Sequence, residues 1–276
     1  MASTKERQRK LARAKLDRQM ARRAQQERRR RRILAAVGAG VALLLIVGGI
    51  AWMGGAFDTK KPAKTSDEAA DQCAWTPQSA QTNTDLKDVG TPPTKGIPTS
   101  GNRPMVITMN QGTPIVVGLD LATAPCSVAD LAYLAGKKFY DNTDCTEITT
   151  EGALRCGDPT GTGLGGPTYS LYNENVPTGK KPAYPKGTVA LIGNPPGTNG
   201  SQFLIFFKDF SVVAPQYPII GRVTSGMDTV ARIGKIPTVD NGSGRKVKPK
   251  QKITIKTVTV GDVTAGAAPS ASAQTG

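Results

Sequence analysis

The chain is predicted to fold as a mainly β domain, a closed antiparallel barrel capped by two helices and preceded by a single transmembrane helix. Three observations carry this prediction. Short runs rich in Val, Ile and Phe recur through residues 103–262, two amphipathic helical segments interrupt them, and an uncharged stretch of 25 residues, 33–57, lies ahead of them. Many strands and two helices around one core suit a barrel whose ends the helices cover.

Residues 1–32 form a basic arm that holds 14 of the 36 Lys and Arg and 3 of the 21 Asp and Glu. Of the formal net charge of +15, the arm carries +11 and the rest of the chain +4, so the basic balance describes the arm and not the folded body. The arm is rich in helix formers. It reads either as a nucleic-acid or ribosome-binding segment or as a topology signal lying against anionic lipid. It has no aromatic residue for base stacking, which favours lipid, and nucleic acid is not expected as a partner.

Residues 33–57 follow as the transmembrane helix, since about 20 apolar residues span a bilayer core. Trp52 stands near the end, where an interfacial aromatic is expected. A cleaved signal peptide is the alternative, with Gly54 and Ala56 as small cleavage-site residues, but its apolar region would be shorter. A buried core helix fits poorly directly after the run ERRRRR. Arginines at 28–32 precede the stretch, while Asp58, Lys60 and Lys61 follow it. The excess of positive charge places the N-terminus in the cytoplasm and residues 58–276 outside, a single-pass protein of the cell membrane. All four cysteines, Cys73, Cys126, Cys145 and Cys156, lie beyond the stretch, as an oxidising compartment would have it.

Residues 58–102 mix Lys, Asp, Thr, Pro and Ser and read as a linker, with Cys73 and Trp75 suggesting that its first part is pinned. The domain proper occupies residues 103–262. MVITM (105–109) and PIVVGLDL (114–121) flank Asn-Gln-Gly, a hairpin signal. GTVALIG (187–193), QFLIFF (202–207), YPIIGRV (217–223) and KITIKTVTV (252–260) are further strands. SVADLAYLAG places Val128, Leu131 and Leu134 on one helical stripe that stops at Gly136, and SGMDTVARIG does the same with Met227, Val230 and Ile233. Residues 263–276 are Ala/Ser/Gly-rich and expected to be disordered.

The composition also excludes. There is no His, which removes imidazole catalysis and His-ligated zinc, and no metal or organic cofactor is implied. Gly161, Gly163 and Gly166 satisfy G-x-G-x-x-G, but Pro167 and a Tyr/Asn-rich loop follow where a phosphate cradle needs a helix. Asn199 and Asn241 head N-G-S triplets that read as turns or as glycosylation acceptors.

Several segments, in order, resemble the cyclophilin family: APCSVADLAYLAGKKFYDNT (124–143), CGDPTGTGLGGPTY (156–169), GTVALIG, TNGSQFLIFF (198–207) and YPIIGRVTSGMDTVARI (217–233). The combination of GDPTGTGxGGP, NGSQF and GRVxxGMD is specific. The resemblance implies a cyclophilin-like barrel and a peptidyl-prolyl cis-trans isomerase that binds proline-containing polypeptides. It also implies an apolar proline pocket, an Arg beside the prolyl amide, and a Gln and backbone groups that hold the peptide.

Carried over residue by residue, the site is altered. Residues 139–159 align without gaps to the family stretch, and Glu147 takes the place of the catalytic Arg. Gly152 and Ala153 replace the pocket Phe and Met, and Arg155 replaces a Gln. Gln202 matches the peptide-holding Gln, Leu204 replaces a pocket Phe, Val213 a pocket Leu, and Tyr217 stands where a His is common. Ile192, Gly193 and Asn194 replace the segment that offers backbone to the peptide. A carboxylate cannot donate as a guanidinium does, so Arg155 either supplies the cation from the neighbouring strand or forms a surface ion pair with Glu147. The expected activity is isomerisation in exported or cell-envelope proteins, reduced by the change at Glu147. The alternatives are a weak or inactive module that holds proline-containing segments as a chaperone or scaffold, and a structural partner in a membrane complex. Cys145 and Cys156 flank the hairpin so aligned and are expected to pair, leaving Cys73–Cys126 to tie the linker to the first helix. Of the three possible connectivities this is the one favoured, against reduced thiols.

Overall fold

The computed structural model describes residues 71–193 and 195–264. β1 (Thr76–Pro77) and β2 (Leu86–Lys87) precede β3 (Asn102–Met109) and β4 (Ile115–Asp120). After helix α1 (Pro125–Gly136) come β5 (Thr143–Asp144), β6 (Glu147–Ile148), β7 (Ala153–Cys156), β8 (Gly166–Pro167) and β9 (Tyr169–Tyr172). β10 (Thr188–Leu191), β11 (Thr198–Asn199), β12 (Phe203–Phe206) and β13 (Ile219–Ser225) lead to α2 (Met227–Ile233). β14 (Thr238–Asp240), β15 (Lys246–Pro249) and β16 (Thr254–Val260) follow. The expectations for residues 1–32 and 33–57 lie outside the described residues, as do Asn194 and most of 263–276. Among the described residues no helix is long and apolar enough to cross a membrane.

Nine strands form one antiparallel sheet in the order β5-β16-β3-β4-β13-β10-β12-β7-β6. The sheet curls as a half-barrel and its ladder does not close, which corrects the closed barrel expected from the sequence. The reason lies at its two edges. β5 and β6 are two residues long and separated only by Cys145 and Thr146. The Cys145 N–H donates to Ile253 O (2.8 Å) and the Thr146 N–H to Arg155 O (3.0 Å). The chain therefore steps from one edge of the sheet to the other within a single short segment, and two strands with only two residues between them cannot form a ladder with each other.

Alternation along β3 and β4 buries Met105, Ile107, Met109, Ile115, Val117 and Leu119 on one face, as period-2 side chains must. Gly112 in their turn has φ +69, and a side chain there would collide with Thr229 and Arg232 of α2. β10 and β12 are buried on both faces. Val189, Leu191, Phe203 and Ile205 join the main core, whereas Ala190, Leu204 and Phe206 face a second cluster with Ala153 and Tyr184. Phe206, Phe210 and Tyr217 surround the Tyr184 ring at 4.9, 6.0 and 5.6 Å. The candidate site lies beside this second cluster.

Helix α1 begins with Pro125, whose fixed φ suits a first helical turn. Its free N–H groups are capped from outside: Glu174 accepts from Cys126 N–H (2.9 Å), Ser127 N–H (2.7 Å) and the Ser127 hydroxyl (2.7 Å). Val128, Leu131 and Leu134 are buried as the helical stripe predicts. Asp130, on the same helix, is fully buried and accepts a 2.6 Å hydrogen bond from the Tyr169 hydroxyl. Burial pushes its carboxyl up to about 7, and the hydroxyl bond offsets part of that rise.

Residues 71–101, read as linker from their composition, pack on the domain. Disulfides join Cys73 to Cys126 and Cys145 to Cys156. β1 pairs with β9, β2 runs parallel to β8, and Trp75 meets the Tyr169 ring edge-on at 5.7 Å. The Tyr133 hydroxyl donates to Val89 O at 2.6 Å. The segment is a strap held by a covalent bond, two short ladders and an aromatic anchor.

Candidate active site

The site is built where β6, β7 and β12 run side by side. Antiparallel register sets Glu147 opposite Arg155 and Arg155 opposite Leu204. Cross-strand neighbours lie about 4.5–5.5 Å apart, so the Glu147 and Arg155 side chains share one face. Their ion pair measures 3.4 Å, and each side chain is 14% exposed, too enclosed for a surface pair.

Arg155 is the centre of a polar network. Its Nε and Nη2 both donate to Gln202 Oε1, at 2.9 and 2.7 Å. Nη2 also donates to Gly163 O (3.0 Å), and Nη1 donates to Glu147 Oε2 (3.4 Å). Gln202 is buried, and its Nε2 donates to Gly163 O (3.1 Å) and Gly165 O (2.8 Å). Asp158 shapes the glycine loop by accepting from the N–H and hydroxyl of Thr160, each at 2.8 Å, and from the Gly163 N–H. The glycine run thus offers carbonyls to Gln202 and Arg155. Of the five N–H groups of Arg155, these bonds occupy four and leave one on Nη1 uncommitted.

A cavity of about 80 Å³ opens over Arg155. Leu204, Ile192, Tyr217 and Val247 supply its apolar lining, and Glu147, Glu151 and Arg245 stand around it. Burial raises the Tyr217 phenol above its ordinary value, and the carboxylates of Glu151 and Glu147 add to the rise while Arg155 opposes it. A second cavity, of about 90 Å³, shares Ile192 and lies between the strap residues Gln78, Thr82 and Asn83 and the segment holding Gly193 and Gln202.

The structure therefore brings together Glu147, Arg155, Gln202, Ile192, Leu204 and Tyr217, with Gly193 in the adjoining cavity. Gly152 has φ +88, lies under the stem of Lys208 and does not line the small cavity. Ala153 is buried in the second cluster, opposite Phe206. Val213 is 103% exposed, on the loop of residues 211–216, and is not among the residues lining the small cavity. Asn199 is buried and donates to Asn173 Oδ1 at 2.9 Å, so its N-G-S triplet is not an open acceptor. Sequence reasoning did not reach Arg245, whose Nη2 donates to Glu147 Oε1 at 3.0 Å, nor Val247. The alternation of cations around Val247 in RKVKPK was the available signal.

Comparison with known proteins places this geometry. A cyclophilin-type peptidyl-prolyl cis-trans isomerase of Cryptosporidium parvum superposes with a TM-score of 0.51 over 58% of this chain and 98% of its own, at 24% identity, which establishes the cyclophilin fold. The family model described as cyclophilin type peptidyl-prolyl cis-trans isomerase/CLD matches residues 105–260. The chain belongs to that family. Among its relatives is a protein named probable peptidyl-prolyl cis-trans isomerase B of Mycobacterium tuberculosis, 34% identical over 213 residues, 71% of this chain and 66% of the relative. The protein of the same name from Mycobacterium leprae is 37% identical over 54% of each chain. The peptidyl-prolyl cis-trans isomerase-like 1 of Aspergillus fumigatus is 34% identical, and the match covers 50% of this chain and 86% of that one. The chain thus spans less than two thirds of the length of these mycobacterial relatives.

Proposed function

We propose that this chain catalyses cis-trans isomerisation of Xaa-Pro bonds, with Arg155 supplying the cation that its family carries at the position of Glu147. The observation that carries the reading is the Arg155 guanidinium at the small cavity, locked to Gln202 and paired with Glu147 while one N–H stays uncommitted.

Rotation about a peptide bond faces a barrier of about 18–20 kcal/mol set by amide resonance. An enzyme lowers it by binding the twisted amide better than either planar form. Twisting returns the lone pair to the prolyl nitrogen, which then accepts a hydrogen bond. The free Nη1 N–H of Arg155 is the donor suited to it, and Gln202 holds that guanidinium in place. Ile192, Leu204, Tyr217 and Val247 enclose the proline ring. A related Cryptosporidium parvum cyclophilin-type structure, 25% identical with a TM-score of 0.50, was determined in the presence of the dipeptide Ala-Pro, a ligand of the class this cavity would take.

The substrates in this reading are proline-containing segments of exported or cell-envelope proteins. The chain is anchored through residues 33–57, its basic arm lies on the cytoplasmic lipid face, and its domain stands outside. Support comes from the 25-residue uncharged stretch and the basic flank before it. The two disulfides beyond the stretch suit an oxidising compartment. A second reading, a module that holds such segments without turning them over, is favoured by the carboxylate of Glu147 and by the Lys208 stem over Gly152.

The test is prolyl exchange measured by NMR on the full chain with Xaa-Pro peptides. Turnover well above the uncatalysed rate supports the isomerase. Binding without turnover replaces it with the holding module.

A further inference from the structure

We propose that the basic segment from Arg245 to Lys252 makes this site select substrates that carry a carboxylate close to the proline. The inference rests on the reading above that the small cavity takes the proline ring.

Arg245 and Val247 line the small cavity, and the same stretch of chain continues as the wall of a larger one of about 600 Å³. Glu147 borders both, so a peptide leaving the proline site past Glu147 enters the larger cavity. That volume is within the range of about 300–1,000 Å³ typical of ligand pockets. Val247 and Ile253 are buried and pin the segment at two points. Between them Lys248, Lys250 and Lys252 face the larger cavity.

Of the three carboxylates around this path, two are already paired with cations. Glu147 is shared by Arg155 and Arg245, two guanidinium groups on one acid. Asp144 pairs with Lys252 at 3.1 Å and accepts from the Thr254 hydroxyl at 2.7 Å. Glu151, on the far rim of the small cavity, accepts from the Thr150 hydroxyl at 3.2 Å. No ion pair reaches Lys248 or Lys250 among the described residues. The path beyond the proline is therefore lined by cations in excess, and an acidic side chain is the group that would complete it.

The experiment compares two peptide series on the full chain, identical except for Glu or Ala at successive positions on either side of the proline. Exchange rates and binding are both measured, at low and high salt. Exposed charge pairs are individually weak and screened by salt, so the expected preference is about fivefold for Glu at the best position. It should shrink at high salt and disappear in Lys248→Glu/Lys250→Glu. Lys248→Gln/Lys250→Gln gives the same reading without a new charge should the reversal not fold. A Glu preference in binding with no turnover of any peptide sustains this selectivity and removes the isomerase reading. Equal binding of Glu and Ala peptides at every position overturns the selectivity whether or not turnover is seen.

Discussion

Replacing Arg155 with Gln, the residue its family carries there, is the sharpest perturbation of the proposed chemistry. Arg155 donates twice to Gln202, once to Gly163 O and once to Glu147, and one N–H on Nη1 remains uncommitted. Gln can replace at most one or two of these donors and carries no charge. Loss of one preorganised donor in an enzyme site typically costs about 2.7–4 kcal/mol, or roughly 10²–10³ in rate. The exchange rate should fall by about that factor. Stability should drop by only about 1–3 kcal/mol, the usual cost of a buried polar atom left without a partner, because Gln202 Nε2 keeps Gly163 and Gly165 as acceptors. Prolyl exchange by NMR on saturating peptide reads the first quantity, and urea unfolding reads the second. A second variant, Glu147→Arg/Arg155→Gln, rebuilds the family order of charges across the same two strands and should recover much of the loss. If Arg155→Gln stays folded and its rate lies within twofold of the unmodified chain, Arg155 is not the catalytic cation.

Three further outcomes follow from the structure. Asp130 holds its proton up to about 7 in the folded chain against 3.8 for an ordinary Asp, so its contribution to stability is complete below pH 3.8 and is lost as the pH rises through 7. At about 1.4 kcal/mol per unit the change is on the order of 4 kcal/mol, and urea midpoints of Asp130→Asn should lack this fall between pH 4 and 7. Cys73–Cys126 closes a separation of 53 residues and Cys145–Cys156 one of 11. The chain-entropy model gives these crosslinks about 4 and about 3 kcal/mol, so Cys73→Ser/Cys126→Ser should lower the unfolding free energy more than Cys145→Ser/Cys156→Ser, and amide exchange in residues 71–101 should rise only in the former. Leu204→Ala opens the small cavity beside Arg155 and should raise KM for Xaa-Pro peptides, with a stability loss of about 2–5 kcal/mol by urea unfolding; an unchanged KM would remove Leu204 from the proline pocket.

The parts of the fold legible in the sequence are those in which a local period matches burial. β4 and the second half of β3 alternate in burial, α1 and α2 repeat at helical spacing, β10 and β12 are short buried runs, and β13 and β16 are rich in β-branched residues. β5 and β6 were beyond local reading because two-residue strands are defined by their partners, not by a period of their own. The strap shows the same limit. Residues 71–101 are polar and Pro-rich, and what holds them is a disulfide and pairing with β8 and β9, all distant in sequence. At the site, Glu147 and Arg155 could be set opposite each other because only a tight turn separates them. Val213 and Arg245 could not be placed, since each depends on the path of a loop or hairpin through space. Gly152 adds a second limit: the absence of a side chain there leaves no open space, because the Lys208 stem occupies the room.

The opposed placement of Glu147 and Arg155 is what the proposed chemistry rests on. A pair on opposed positions of β6 and β7 presents both side chains to the same cavity, so either strand can deliver a cation there. The two arrangements differ in what surrounds the guanidinium. On β7, Arg155 stands next to β12 and within reach of Gln202, whose own amide is fixed by two glycine carbonyls. Its orientation is thus set by a buried amide, and Glu147 is left free to take Arg245 as a second partner. That second contact ties the β14–β15 hairpin to the rim of the cavity. Glu147 therefore pairs with Arg155 on one side and on the other adds a charged contact to a basic wall that the buried Val247 already holds against the site.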